Sequence, residues 1–211
     1  MALLWLPLDD LTIHAMSALA RSPWGPRDLD ATWRLTGWPT PGDGPPSRLV
    51  FKRWEYVMDV GERRLALTMR FAPDLITGFM TSFAAFYDAV GPDDPDVADL
   101  LRPQGTYSGW RIDADAGRPR FDAVWADGCQ RVENRLGVPD LSGSHGDGWG
   151  HAIWRIGSRL LIVAQGEDFE SHSLYDAAYL AAAEHPPGAE IPSGDQLYDL
   201  LLGRQHGCGN G

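Results

Sequence analysis

A glycine-rich segment in the second half of the chain carries the residues best suited to metal chemistry. His145, Asp147 and His151 lie close together there, with Trp149 between them. Imidazole nitrogens and carboxylate oxygens both bind transition metals. One hypothesis is therefore a metal-dependent hydrolase that uses this set together with His172. The spacing of His145 and His151 is not a usual zinc spacing, so a polar hairpin loop is the alternative.

Two acidic segments, 93–99 and 167–170, offer a different chemistry. Paired carboxylates perform acid–base catalysis when the pKa of one is raised. The same pattern is typical of solvated turns, and it also suits contact with an Arg- or Lys-rich partner. Glycines on both sides of Trp149 indicate an exposed aromatic side chain. The predicted partner-binding residues are Asp93, Asp94, Asp96, Trp149, Glu167, Asp168 and Glu170.

Sequence motifs that would commit the chain to a particular reaction are missing. No phosphate-binding P-loop and no dinucleotide fingerprint occurs. The Ser142–His145 segment lacks the strand-to-helix context of a nucleophile elbow. Cys129 and Cys208 form neither a CxxC pair nor a disulfide framework. The sequence therefore predicts no catalytic residue and no cofactor.

The charge of the chain is strongly negative. Eighteen basic residues stand against 29 acidic ones, which gives a net charge of −11. This balance argues against binding to nucleic acid or to an anionic membrane surface. It would speed the approach of a basic partner, although acidity also serves solubility alone. No signal peptide or long apolar stretch is evident, so a cytoplasmic location is expected.

The elements that must position these residues predict an α+β fold. Apolar spacing and capping residues indicate helices over 9–21, 26–37, 119–137 and 193–202. A hairpin is expected within 48–70, with its turn near Gly61, and a second one over 153–164, with its turn at Gly157. Residues 74–90 predict a helix, although an alternating strand fits part of them. A strand is expected over 106–112 and a loop over 140–150, and 173–184 is ambiguous.

The two halves of the chain resemble each other. Trp54 precedes a hairpin over 60–67, and Trp154 precedes one over 156–162. We therefore expect two related helix-plus-antiparallel-hairpin halves, 1–104 and 105–211, from an internal duplication. They would form one domain or two, with the sheet covered by helices on one face. The alternative is two unrelated α+β halves. Four tryptophans at periodic positions are expected in the core: Trp33, Trp54, Trp125 and Trp154.

One segment carries a family resemblance. Residues 24–39, WGPRDLDATWRLTGWP, resemble uncharacterised actinobacterial proteins that are encoded beside secreted polymorphic toxins and are regarded as immunity proteins. Residues 154–168 are similar to strands in that group and in secretion-chaperone-like folds. The resemblance implies a cytoplasmic binding role and carries over no catalytic residue.

The leading hypothesis is a non-enzymatic binding protein of the immunity type, which neutralises a basic toxin domain. An adaptor or chaperone of a secretion or defence system is the first alternative, and the metal-dependent hydrolase is the second. A deep cleft in which several titratable groups converge would argue against a function carried by the surface alone.

Overall fold

The computed structural model describes residues 1–70, 75–88, 109–145, 148–168 and 175–202. These residues form an α+β fold with one antiparallel sheet and several helices. The helices are α1 (Asp10–Arg21), α2 (Leu29–Thr36), α3 (Pro46–Arg53), α4 (Arg118–Leu136) and α5 (Asp195–Leu201). The strands are β1 (Ala2–Trp5), β2 (Val57–Val60), β3 (Arg63–Arg70), β4 (Leu75–Tyr87), β5 (Arg111–Asp113), β6 (Leu141–His145), β7 (Trp149–Ile156), β8 (Arg159–Glu167) and β9 (Asp176–Glu184).

Strands from both predicted halves join one sheet. Its order is β2-β3-β4-β9-β8-β7-β6, and β1 lies beside β4 and pairs with β5. The central pair, β4 and β9, extends from Gly78 opposite Ala183 to Phe86 opposite Asp176, with a one-residue shift of register between Ser82 and Ala84. From this pair, β3 and β2 extend to one side, while β8 and β7 extend to the other in the mirrored order. The sheet is therefore continuous across the two halves, and the duplication itself stays a prediction.

Side-chain alternation divides the buried residues between the two faces of the sheet. On the first face, Phe79, Val163 and Leu180 join a core that includes the apolar sides of α1 to α4. On the opposite face, Ile162 and Tyr179 belong to a second cluster. Leu197 and Leu201 of α5 pack into that second cluster. Four helices thus share the expected face, and the short α5 lies on the other.

Local signals set the ends of the helices as the sequence predicts. The Asp9 side chain accepts a hydrogen bond from the backbone N–H of Thr12, at 2.6 Å, and so caps α1. Gly37 follows α2 in the left-handed conformation, with φ 74°. Gly137 ends α4, where its N–H donates to the carbonyl of Glu133. The two predicted hairpin turns lie at Gly61 and Gly157, both of which have positive φ.

The prediction of a helix over 74–90 is wrong, because residues 75–87 form β4. This strand lies in the middle of the sheet and is buried on both faces, so apolar side chains occupy nearly every position. A continuous apolar run contains the i, i+3, i+4 spacing without being a helix. The competing strand interpretation is the correct one.

Three other segments differ from expectation. Residues 46–53, expected to be largely extended, form α3, and the hairpin begins only at β2. The expected loop over 140–150 contains β6 and the start of β7. The ambiguous 173–184 segment contains β9, an alanine-rich strand that pairs on both sides.

The tryptophans divide differently from the prediction at one position. Trp33 and Trp154 are buried, and Trp125 packs against the core as expected. Trp54 is 50% exposed. It follows the last turn of α3 with φ 57°, a left-handed backbone conformation that ends the helix. The prediction that Trp54 lies in the core is therefore wrong.

Candidate functional site

The predicted site residues divide between described and undescribed parts of the chain. Trp149, Glu167, Asp168 and His151 are described, and His145 is described by its backbone alone. The predicted residues outside the described ranges are Asp93, Asp94, Asp96, Asp147, Glu170 and His172.

Two of the predicted partner-binding residues come together around an aspartate that the sequence did not single out. The Trp149 indole N–H donates to Oδ2 of Asp176 at 3.2 Å. Glu167 lies directly opposite Asp176 in the β8–β9 ladder. Glu167 in turn accepts a hydrogen bond from the Tyr198 hydroxyl of α5, at 3.0 Å. With Arg118, these residues form what we term the Asp176 corner: Arg118, Trp149, Glu167, Asp176 and Tyr198.

Arg118, in the first turn of α4, links this corner to the helix. Its Nη1 lies 3.1 Å from Oδ2 of Asp176, and its Nε lies 3.0 Å from Oδ1 of Asp122. The ion pairs are partly exposed, so each contributes little to stability. Their effect is to hold the carboxylates of Asp122 and Asp176 at fixed positions.

The network continues into the buried sheet through Gln165, which is 1% exposed. Its Nε2 donates to Oδ1 of Asp122 at 2.9 Å, and its Oε1 accepts from the backbone N–H of Gly150 at 2.9 Å. Both polar ends of the amide are therefore satisfied inside the protein. The two hydrogen bonds of Gln165 connect the end of β8 to α4 and to the start of β7. These three elements carry Glu167, Arg118 and Trp149 of the corner.

Trp149 is held rather than freely exposed. Its side chain is half-buried, and the hydrogen bond to Asp176 fixes the orientation of its indole ring. A pre-positioned aromatic ring loses little conformational entropy when a partner covers it. That Trp149 offers contact area to a partner stays a prediction. The hydrogen bond makes its side chain more rigid than one in a glycine-flanked loop would be.

Asp168 is 4% exposed, so it offers no accessible surface, contrary to the prediction. Its backbone N–H donates to the carbonyl of Tyr175 at 3.1 Å, across the end of the β8–β9 pair. Burial, with a smaller contribution from the charge of Asp168, raises the pKa of Tyr87 to about 12. The Tyr87 and Tyr175 rings lie 5.0 Å apart beside it. Asp168 is thus part of a buried polar and aromatic cluster.

The predicted metal ligands are not brought together as far as the structure describes them. His151 is 2% exposed and lies inside β7, opposite Gly143 of β6. Within the described ranges, no group of three or more His, Cys, Asp or Glu side chains is arranged to hold a metal ion. Asp147 and His172 lie outside those ranges.

Sequence reasoning missed three residues of the corner: Arg118, Asp176 and Tyr198. Asp176 opens the segment that was ambiguous between helix and strand, so its pairing with Glu167 was hidden. The only available signal was the antiparallel arrangement itself. Once β8 and β9 are paired in the antiparallel direction, Asp176 lies opposite Glu167.

Comparison with known proteins assigns no class to this fold or to this site. No protein-family model matches the chain, and no curated protein and no solved structure is significantly similar to it. Among the described helices, none is long and apolar enough to cross a membrane.

Proposed function

We propose that this protein is a cytoplasmic, non-enzymatic binding protein of the immunity type, which neutralises a basic toxin domain by covering it with the Asp176 corner. The observation that carries the proposal is the contact between Trp149 and Asp176, beside Glu167. An aromatic ring and two carboxylates there form one patch, which Arg118 and Tyr198 hold in place.

Long-range electrostatics support a basic protein partner. A net charge of −11 attracts a positively charged domain and repels nucleic acid and anionic lipid. The half-buried Trp149 supplies the kind of aromatic anchor that dominates protein interfaces. The carboxylates of Glu167 and Asp176 beside it would attract arginine or lysine on the partner.

The proposal is tested by affinity capture from the native host with the tagged full-length chain. A basic, toxin-like protein should be recovered, and its binding should weaken as salt rises because salt screens the attraction. Recovery of no such protein, together with neighbouring genes unrelated to toxins, would overturn the proposal.

The corner is tested separately with the captured partner. Trp149→Ala and Glu167→Gln should each weaken binding, the first by about tenfold or more if the ring is an anchor. Asp43→Asn is the matched control, because Asp43 is exposed and its replacement removes one negative charge elsewhere. Equal affinities for all three variants would place the interface outside the corner.

A measurement of molecular mass by light scattering distinguishes this function from the adaptor or chaperone alternative. An inhibitor that covers its target one to one is expected to be a monomer when free. A tight homodimer would favour the adaptor.

A further inference from the structure

An open cleft lies along one side of α4 and shares no residue with the Asp176 corner. It has a volume of about 500 Å³ and lies between the end of β1, the start of α1 and one side of α4. A volume of this size is typical of sites for small molecules. We term it the arginine cleft, after three residues at its rim: Arg111, Arg120 and Arg131.

The floor of the arginine cleft is apolar and closely packed. Leu8, Phe83, Val124 and Gly128 line it, and all four are buried. Gly128 lets α4 approach β4 closely, since a Cβ atom at this position would lie 2.8 Å from the Phe83 ring. A floor of this kind is preformed, and the more accessible Pro7 and Ala123 beside it would contact the apolar part of a ligand.

The rim carries an excess of positive charge. Arg131 is paired with Asp127, with 2.7 Å between Nε and Oδ2. The charge of Asp9 is balanced by Arg63, whose Nη2 lies 3.7 Å from Oδ2 of Asp9, and Asp9 also caps α1 by accepting from Thr12. Within the described residues, Arg111 and Arg120 have no carboxylate partner. Two uncompensated guanidiniums therefore line one small cavity in a chain whose net charge is −11.

An aromatic wall stands beside these charges. The Arg120 guanidinium lies 5.1 Å from the centre of the Trp5 ring. This cation–π contact holds the guanidinium beside the ring. A guanidinium held in this way presents the two parallel donors that bind a carboxylate or a phosphate.

We infer that the arginine cleft binds a small molecule that joins an oxyanion, either a carboxylate or a phosphate, to an apolar or aromatic part. Arg111 and Arg120 hold the oxyanion, and the more accessible Pro7 and Ala123 contact the apolar part. The cleft is too small for an extended polyanion. The negative charge of the chain as a whole would also repel one, since an excess of arginine occurs only locally.

This site is independent of the proposed inhibitor function. The cleft is open at the surface, and Arg111 and Arg120 at its rim are exposed. The arginine cleft shares no residue with the Asp176 corner. Failure of either proposal therefore leaves the other standing.

The test uses matched small probes and the Trp5 indole N–H signal in a two-dimensional NMR spectrum, assigned with Trp5→Phe. Phenyl phosphate and benzoate carry both an anion and a ring, phenol carries the ring alone, and inorganic phosphate carries the anion alone. We expect saturable shifts with phenyl phosphate or benzoate at millimolar concentration, and weaker binding of the other two. The better of the first two probes identifies the oxyanion.

The arginines are tested with single substitutions. Arg111→Gln and Arg120→Gln should each weaken binding about tenfold, since a hydrogen bond to a charged group is worth about 1.5–3 kcal/mol. Arg34→Gln removes one positive charge from an exposed part of α2 and should leave the affinity unchanged. The thermal unfolding midpoint of each variant checks that the fold is retained.

Three results would overturn the inference. The first is no shift with either anionic ring probe. The second is phenol binding as tightly as phenyl phosphate and benzoate, which would show that the charge is not recognised. The third is unchanged affinity in both cleft variants, which would place the bound probe elsewhere.

Discussion

At the scale of single residues, burial decides how several reactive side chains behave. Cys129 faces the core from α4 and packs against it. Burial, with a smaller contribution from the charge of Glu133, raises the pKa of the Cys129 thiol to about 12. The thiolate is the reactive form, so this cysteine is a packing residue rather than a nucleophile.

Slow thiol modification follows from that pKa. In a Cys208→Ser variant, Cys129 should react with a disulfide reagent at mildly alkaline pH far more slowly in the folded protein than in urea. The release of the coloured thiol product measures both rates. Equal rates would mean that Cys129 is accessible and ionised in the folded state.

Stability at alkaline pH should fall for the same reason. The ordinary pKa values are 9.0 for Cys129 and 10.0 for Tyr87, and both rise to about 12 in the folded chain. Between these limits the unfolded chain binds fewer protons than the folded one, so the free energy of unfolding decreases as pH rises. Urea unfolding at a series of pH values above about 9 should show this loss. A Cys129→Ala, Tyr87→Phe double variant should show a smaller slope.

A glycine in β7 is required by close packing rather than by its backbone angles. A Cβ atom at Gly150 would lie 2.5–2.8 Å from three atoms of the Trp125 ring. Gly150→Ala should therefore reduce the free energy of unfolding by about 1–3 kcal/mol, as overpacking does. Gly42→Ala is the control, because a Cβ atom there meets nothing within 4 Å. Comparable urea midpoints for both variants would contradict this packing.

At the scale of elements, hydrogen bonds between neighbouring elements hold the Asp176 corner in place. Arg118, Asp176 and Trp149 are the first residues of α4, β9 and β7, while Glu167 ends β8 and Tyr198 lies within α5. The corner is therefore assembled from five elements. The buried amide of Gln165 sets their relative positions by bonding to both Asp122 of α4 and Gly150 of β7.

Loss of that amide should destabilise the protein more than its size suggests. Gln165→Met removes the acceptor of the Gly150 N–H and leaves a buried donor without a partner, which costs about 1–3 kcal/mol. Gln130→Met, on the exposed side of α4, is the matched control and should change stability by less than about 0.5 kcal/mol. Chemical denaturation measures both. A neutral Gln165→Met would show that water or a shifted side chain replaces the bond.

The sequence predicts elements well where a local signal marks their ends. α1, α4 and the β7–β8 hairpin carry caps, glycine ends or tight turns, and the structure confirms all three. The sequence-based prediction is wrong for β4 and ambiguous for β9. These two strands form the middle of the sheet, and burial on both faces removes the alternation that marks a strand.

At the scale of the whole molecule, the two predicted halves depend on each other. The longest contact between them is the β4–β9 pair, and β5 of the second half also pairs with β1 of the first. An edge as long and apolar as β4 or β9 would aggregate if it were exposed. Duplication, if it occurred, was followed by fusion into one sheet.

Separation of the halves should therefore abolish folding. Fragments 1–104 and 105–211, expressed alone, are expected to be insoluble or to lack a cooperative unfolding transition. Expressed together, with a tag on one, they should be purified as a complex with the circular dichroism spectrum of the intact chain. A cooperative transition from either isolated fragment would show that it is an independent domain.

The sequence by itself determined the α+β class, the ends of several helices and the glycine turns of both hairpins. Each of these depends on residues close together in the chain. Only the tertiary structure decided that Trp149 and Glu167 meet at Asp176, that Asp168 is buried and that Arg111 and Arg120 line one cleft. Those contacts join residues far apart in the chain, and the pairing of β4 with β9, which no local pattern encodes, brings the two halves together.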